Sequence, residues 1–358
     1  MENNKRILFT GGGTAGHVIV NLALIPYYRN EGWEIDYVGC YDGIEGDLIE
    51  PLDGVTYHPI STGKLRRYLS MENLKDPFKV LKGTLQAYRI IGKRKPSVVF
   101  SKGGFVSVPV VIASKLQNVP AVIHESDYTP GLANKISIPF AKKVPATFEE
   151  TMQFLPERKR EYVGAVIRDE LFDGDREKGL DFSGLSGEKP VLLIMGGSGG
   201  SQKINETVRN SLAELLRHFD IIHICGKGNV EPNIKEEGYA QFEYIHDELK
   251  DVFAATDYVL SRAGANAIFE FLALRIPMLL IPLSLEASRG DQIVNANSFK
   301  EKGVARVLPE EELSEKKLLE ELQALIKQSP VIRDKMKRYE ASASRERVIQ
   351  IIEESMKK

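Results

Sequence analysis

Short apolar runs rich in β-branched and aromatic residues alternate along this chain with glycine turns and amphipathic stretches. Ile7-Leu8-Phe9-Thr10 is one such run; a turn over 11–17 follows it, then an amphipathic helix over roughly 17–31. Residues 34–39 and 96–101 read as further strands, the latter leading into a helix that ends before Asn118. A strand over 119–124 and a helical 131–140 come next. Strands that alternate with helical stretches predict parallel sheets joined by crossover helices.

Between Gly164 and Gly187 the pattern lapses into a charged stretch, Asp173-Gly174-Asp175-Arg176-Glu177, which reads as an irregular domain boundary. Beyond it the first half repeats. Residues 5–9 match 189–193, 33–39 match 219–226, 97–104 match 257–264 and 119–123 match 276–280. One match is within chance, but four in the same order predict two doubly wound, Rossmann-like α/β domains. Their glycine turns would face each other across a cleft. We place the domains at 1–163 and 164–339. The charged helical tail from Ser329 should return in part, over about 340–358, to the first domain.

Residues 261–292 condense the pattern. The turn Ser261-Arg262-Ala263-Gly264-Ala265 leaves a β-like run and opens into an apolar helix over 266–274. A strand over 276–283 and the polar loop Ser288-Arg289-Gly290-Asp291-Gln292 follow. Such a turn aims unpaired N–H groups and a helix dipole at one point, which suits a phosphate or diphosphate. Glu270, more than a turn into the helix, is placed to accept from a ribose diol. The plain alternative is an ordinary strand–turn–helix with a surface Glu. Gly11, Gly13 and Gly16 also satisfy the GxGxxG spacing. A nicotinamide reading of it wants an acidic residue ending the next strand, which ends in Val38-Gly39-Cys40 with Asp42 just beyond.

Composition narrows the field. A length of 358 residues suits two domains, and 42% apolar with 27% charged residues is an ordinary globular balance. A net charge of −2 gives no general affinity for nucleic acid. Cys40 and Cys225 have no CxxC partners, which argues against a disulfide framework or structural zinc and for a reducing compartment. No segment approaches ~18 uninterrupted apolar residues, and the first residues run straight into a strand without a signal-peptide region. The expected location is the cytoplasm, with any membrane contact peripheral.

Several motifs then occur in a telling order: Gly12-Gly13-Thr14-Ala15-Gly16-His17, Lys102-Gly103-Gly104-Phe105-Val106-Ser107-Val108-Pro109, His124-Glu125, Gly196-Gly197-Ser198 and Ser261-Arg262-Ala263-Gly264. In this set the chain resembles the MurG family of peptidoglycan N-acetylglucosaminyltransferases, of the two-domain GT-B fold. The resemblance spans nearly the whole chain and is weakest over 65–95 and the C-terminal tail. It implies inverting transfer of GlcNAc from UDP-GlcNAc to the muramyl C4 hydroxyl of a polyprenyl-diphosphoryl muramoyl-peptide (lipid I), giving β-linked lipid II. The setting it implies is cell-wall synthesis on the inner face of the membrane.

Carried over by residue, the resemblance puts the donor on the second domain. Ile245 would offer backbone groups to uracil and Arg168 would sit near the nucleotide. Ser198 with Ala263, Gly264 and Ala265 would hold the diphosphate, Glu270 the ribose, and Asp291 and Gln292 the sugar. Gly12, Gly13, Thr14, Gly16, Gly103 and Gly104 would face the acceptor diphosphate. The chain departs from the family pattern at Asp291, where Gln is common, at Asp127, where Asn is common, and after His17, where a Pro is often found. Asp for Gln keeps an acceptor and loses the amide donors.

No DxD-like carboxylate pair lies beside a phosphate turn, so no essential metal or other cofactor is expected. The departing UDP would be met by N–H groups, a helix dipole and Arg168. His17, whose ordinary pKa is near neutrality, is the favoured general base, with Glu125 and Asp127 as rivals. Its alternative role is to bind the acceptor phosphate only. His124 reads as a strand-end histidine. The stretch 64–95 interleaves Lys64, Arg66, Arg67, Lys75, Lys79 and Lys82 with Leu65, Leu69, Leu74, Phe78, Val80 and Leu81. It is expected to meet an anionic membrane surface; the alternative is a basic helix with a solvated outer face. A UDP-GlcNAc 2-epimerase or another UDP-sugar glycolipid glycosyltransferase is the rival function. A dehydrogenase would leave the second set of glycine turns unexplained.

Overall fold

The computed structural model describes residues 5–63, 76–197, 199–286, 288–339 and 344–356. The chain divides into two compact units, Met1–Val166 with Ser342–Lys358, and Ile167–Ala341. In the first unit β1 (Arg6–Thr10), β2 (Glu34–Cys40), β3 (Val55–Ile60), β4 (Val98–Ser101) and β5 (Ala121–Ile123) form a parallel sheet ordered β3-β2-β1-β4-β5. A parallel pair, β6 (Val144–Ala146) and β7 (Arg160–Tyr162), extends it beyond β5 through a bridge from Val122 to Lys143.

The second unit repeats the plan. Its strands are β8 (Val191–Met195), β9 (Asp220–Ile224), β10 (Tyr239–Phe242), β11 (Tyr258–Ser261), β12 (Met278–Leu280) and β13 (Ala305–Val307), ordered β10-β9-β8-β11-β12-β13. The predicted matches pair β1 with β8, β2 with β9, β4 with β11 and β5 with β12, and each pair holds the same place in its sheet. Both sheets reverse their winding where the first strand meets the fourth, the point at which open α/β sheets bind ligands at their carboxyl edge.

Both faces of these sheets are covered, so the strands read as continuous apolar runs. In the first unit Ile7, Phe9, Ile35, Tyr37 and Phe100 pack against Leu24 and Tyr28 of the helix Ile19–Asn30. Val348, Ile351 and Ile352 of the C-terminal helix Ser344–Met356 complete that layer, so this helix belongs to the first unit. On the other face Leu8, Val38, Val99 and Ile123 meet Ala87 and Ile91 of the helix Asp76–Arg94 and Val110 and Val111 of the helix Ser107–Leu116.

Some local expectations change. The stretch expected to be irregular holds a helix, Arg176–Ser183, because Asp175 caps it by accepting from the N–H groups of Glu177 (2.9 Å) and Lys178 (3.2 Å). The strand expected over 276–283 shrinks to Met278–Leu280, between Pro277 and Pro282, which have no N–H to give a ladder. Ser329 does not begin a tail helix: it lies within Glu315–Met336 of the second unit, which carries Pro330 in its interior.

Candidate active site

In the first unit the loops leaving the carboxyl ends of β1, β2, β4 and β5 converge. The turns after β1 and β4 touch backbone to backbone: a Cβ on Gly104 would lie 2.1 Å from the Gly12 carbonyl oxygen. Gly104 also has φ +79°, so only glycine suits it on both counts. Glu45, on the short helix Ile44–Ile49, is 0% exposed. Its carboxylate accepts from the N–H of Gly13 at 3.0 Å and of Cys40 at 2.9 Å, tying the β1 turn to the end of β2. The same carboxyl group fills the space that a Gly12 Cβ would need. Gly103 packs on Asn134, while Gly13 and Thr14 are exposed at the tip of the β1 turn, with Gly16 partly covered behind them.

His17 closes a 3-10 turn, Ala15–His17, and is half-buried, with its Nδ1 3.0 Å from the Thr14 hydroxyl. Burial and the Lys102 ammonium push its pKa down to about 4, against a hydrogen bond with the Gly12 backbone and the charge of Glu45. The near-neutral value expected from an ordinary histidine is therefore displaced: desolvation disfavours the imidazolium, and the ring is neutral at physiological pH. Glu125 is buried at the end of β5. One oxygen accepts from the Asp127 N–H (2.9 Å), the other from the Gly131 N–H (3.0 Å) and the Asn134 amide (2.8 Å). Burial and Asp127 push its pKa up to about 7, opposed by Lys102 and by those hydrogen bonds. Asp127 is half-buried beside it. His124 lies in the core, 6.4 Å from Phe100 between ring centroids.

The second unit assembles a corresponding edge. The turn after β8 lies on the end of β9, since a Cβ on Gly200 would sit 2.0 Å from the Cys225 carbonyl oxygen. From this turn opens the helix Gln202–Asn210, capped by Ser201. Ser198 lies outside the described residues. Ala263 and Gly264 form the turn after β11, and Ala265 begins the helix Ala265–Ala273. The Ala263 N–H already donates to the Gln292 side-chain oxygen at 3.3 Å, and that oxygen also accepts from the Leu283 N–H at 3.1 Å. Gln292 thus laces two loops together. Asp291 sits next to it at the start of the helix Asp291–Glu301, where a carboxylate complements the helix dipole.

Glu270 is buried, not on the surface, and its Oε1 accepts from both Nε and a terminal nitrogen of Arg168 at 3.3 Å. Burial raises its pKa, with Arg168 opposing. Arg168 also reaches Glu170 at 3.2 Å. Ile245, in the loop after β10, is buried beside the exposed Tyr244. Among the described residues no three His, Cys, Asp or Glu side chains cluster as a metal site requires.

Sequence reasoning missed several members of these sites. Arg262, in the small-residue turn after β11, is 7% exposed. Its guanidinium donates to the Ile281 (3.2 Å) and Pro282 (3.4 Å) carbonyls and to the Ser201 hydroxyl (2.7 Å), and it pairs with Glu310. Burial would raise the Glu310 pKa, but Arg262 and the Ser284 N–H hold it below the ordinary value. An arginine inside a small-residue turn is a signal that a carboxylate must be near; which carboxylate, so far along the chain, is not written locally. Glu45 and Lys102 escaped for the same reason, their partners being set by sheet order.

Comparison with known proteins agrees with this architecture. The glycosyltransferase family 28 N-terminal domain matches residues 7–145 and the family 28 C-terminal domain residues 191–351. The chain is 73% identical over 357 residues, covering 100% of both proteins, to the UDP-N-acetylglucosamine--N-acetylmuramyl-(pentapeptide) pyrophosphoryl-undecaprenol N-acetylglucosamine transferase of Oceanobacillus iheyensis. It is 56% identical to the protein of the same name from Geobacillus kaustophilus, over 98% of this chain and 99% of that one. The crystal structure of Acinetobacter baumannii MurG shares the fold, with a TM-score of 0.75 at 23% identity over 98% of this chain and 99% of that one. A UDP-GlcNAc 2-epimerase from Neisseria meningitidis also shares it, at 0.71 and 10% identity over 98% and 100%, so the fold alone does not choose between the two activities. The sequence does: the chain belongs to glycosyltransferase family 28, and within it to the UDP-N-acetylglucosamine--N-acetylmuramyl-(pentapeptide) pyrophosphoryl-undecaprenol N-acetylglucosamine transferases.

Proposed function

We propose that the chain transfers GlcNAc from UDP-GlcNAc to the C4 hydroxyl of the muramoyl-peptide of lipid I, with inversion, at the cytoplasmic face of the membrane. The observation that carries this is the 73% identity over the full length of the Oceanobacillus transferase. In the reaction the acceptor oxygen bonds to the anomeric carbon as the bond from that carbon to the β-phosphate oxygen breaks. The hydroxyl proton passes to a base and UDP departs.

His17 is our choice of base. Its half-buried imidazole is neutral, whereas the Glu125 oxygens are occupied by three N–H donors, and geometry ranks before pKa in such a choice. Donor roles fall to the second unit. The diphosphate is assigned to the N–H groups from Gly264 onward at the helix start, because Gln292 holds that of Ala263. Glu270 takes the ribose diol, and Arg168, already paired with it, the nucleotide phosphates.

A lipid acceptor requires a membrane-facing surface, and the helix Asp76–Arg94 supports one. Phe78, Leu81, Leu85 and Tyr88 are 74%, 59%, 53% and 41% exposed, at spacings that put them along one helix face. Lys79, Lys82 and Arg89 each follow one of them directly. Attraction of about 1 kcal/mol per cation to anionic headgroups adds to the burial of the apolar side chains. The basic residues Lys64, Arg66, Arg67 and Lys75 lie outside the described residues. Among the described residues no helix is long and apolar enough to cross a membrane.

Incubation with radiolabelled UDP-GlcNAc, with and without a lipid I analogue, tests the reading. UDP release and a labelled glycolipid should appear only with the acceptor. Conversion without acceptor to UDP-N-acetylmannosamine, or with water to UDP and free N-acetylmannosamine, would establish epimerisation instead.

A further inference from the structure

Lys102 stands at the centre of the first unit's carboxyl edge, where β4 ends between β1 and β5. Its backbone N–H donates to the Thr10 carbonyl at 2.9 Å, and its Cβ lies 3.1 Å from where a Cβ on Gly11 would be. The residue is 3% exposed, an unusual place for an ammonium group unless charges around it compensate. The groups that face it come from every neighbouring element. His17 belongs to the β1 turn, with Glu45 behind it on the short helix. Glu125, Asp127 and His124 come from the end of β5.

We propose that Lys102 is a positioning residue for proton transfer: a buried ammonium that biases the side chains on either side of it, His17 and Glu125, towards their proton-accepting forms. The argument is one of sign. A cation disfavours the imidazolium of His17 by repulsion and favours the carboxylate of Glu125 by attraction, so a single charge acts on both in the useful direction. Burial lowers the pKa of Lys102 itself, and the charges of Glu125 and Asp127 oppose that. The proposal rests on the transferase reading but not on which of the two groups is the base.

The test is the pH profile of kcat/KM for the lipid I analogue in Lys102→Met, which keeps the length and removes the charge. The acid limb should move to higher pH by about one to two units, with much of the rate restored on the alkaline side. Lys102→Arg, which keeps the cation, should hold the limb near its original place. An unmoved limb in Lys102→Met with a raised acceptor KM would overturn the proposal and make the ammonium a phosphate ligand. A lowered melting temperature with an unmoved limb would overturn it too, in favour of a purely structural charge. Should Lys102→Met fail to fold, Lys102→Gln takes its place. The His17 ring titration followed by NMR should then lie at higher pH in the variant than in the wild type, and equal midpoints refute the proposal. Failure of the transferase reading looks different: the unmodified protein would then release no UDP with the acceptor present.

Discussion

Replacing Glu45 by Gln removes one charge and changes almost no volume, which makes it a clean probe of how the first glycine turn is held. The carboxylate is fully buried and accepts from the N–H groups of Gly13 and Cys40 at 3.0 and 2.9 Å. Gln leaves one oxygen to accept, now without charge assistance, and turns an NH2 donor against the other N–H. A charge-assisted hydrogen bond is worth about 1.5–3 kcal/mol, and an orphaned buried donor costs a similar amount. We expect a loss of about 3 kcal/mol, partly relieved by relaxation of the turn. For a unit of this size that is a fall of about 6–12 °C in melting temperature, measurable by calorimetry. Because the turn presents the exposed Gly13 and Thr14, KM for the lipid acceptor should rise about tenfold. UDP affinity, assigned to the other unit, should not move. A melting temperature within 2 °C of the original, on the same scale, together with an unchanged acceptor KM, would refute the reasoning.

Glu270→Ala should weaken free UDP and UDP-GlcNAc alike, by about 1.5–3 kcal/mol or roughly 10- to 150-fold; unchanged UDP affinity by calorimetry would remove Glu270 from the site. The Glu125 carboxyl keeps its proton up to about 7, so across the range above the ordinary carboxylate value the native state binds more protons than the unfolded chain. Its contribution to stability is complete below that range and is lost as pH rises through 7; Glu125→Gln should flatten this part of the stability–pH curve, and an unaltered slope would show that the proton sits elsewhere. Replacing Phe78, Leu81 and Leu85 together by Ser should cut flotation with anionic vesicles about tenfold or more and leave UDP binding intact, whereas undiminished flotation would place the membrane contact on another surface.

How much of this was legible depended on the range of the interaction. The strand runs, the glycine turns and the order of the repeat are local patterns, and each pair of matched strands holds the same place in its sheet. Element ends were legible only where a local signal existed. Asp175 is such a signal, masked by neighbours so charged that the stretch reads as irregular. The ties that make a site from the turns are not local. Glu45 meets Gly13, Gln292 meets Ala263 and Glu310 meets Arg262 because of sheet order and loop path. Periodicity does not encode those pairings. The depression of the His17 pKa was hidden for the same reason, since it comes from burial and from Lys102 on another strand.

The repeat itself sharpens the reading of Lys102. The match of 97–104 with 257–264 puts Lys102 of the first unit in register with Arg262 of the second. Both follow the strand beside the switch point, and both are buried. Arg262 is a fixed staple: its terminal nitrogens reach two carbonyls, the Ser201 hydroxyl and Glu310, which joins the loops after β8, β11 and β12. A planar fork of donors suits that work, and its charge never changes. The first unit has a lysine at the same place, set among His17, His124, Glu125 and Asp127. An ammonium makes a poor staple and a good compact charge. If holding loops together were all that the position required, arginine would serve in both halves. The lysine stands in the half to which the acceptor hydroxyl, and therefore the travelling proton, is assigned.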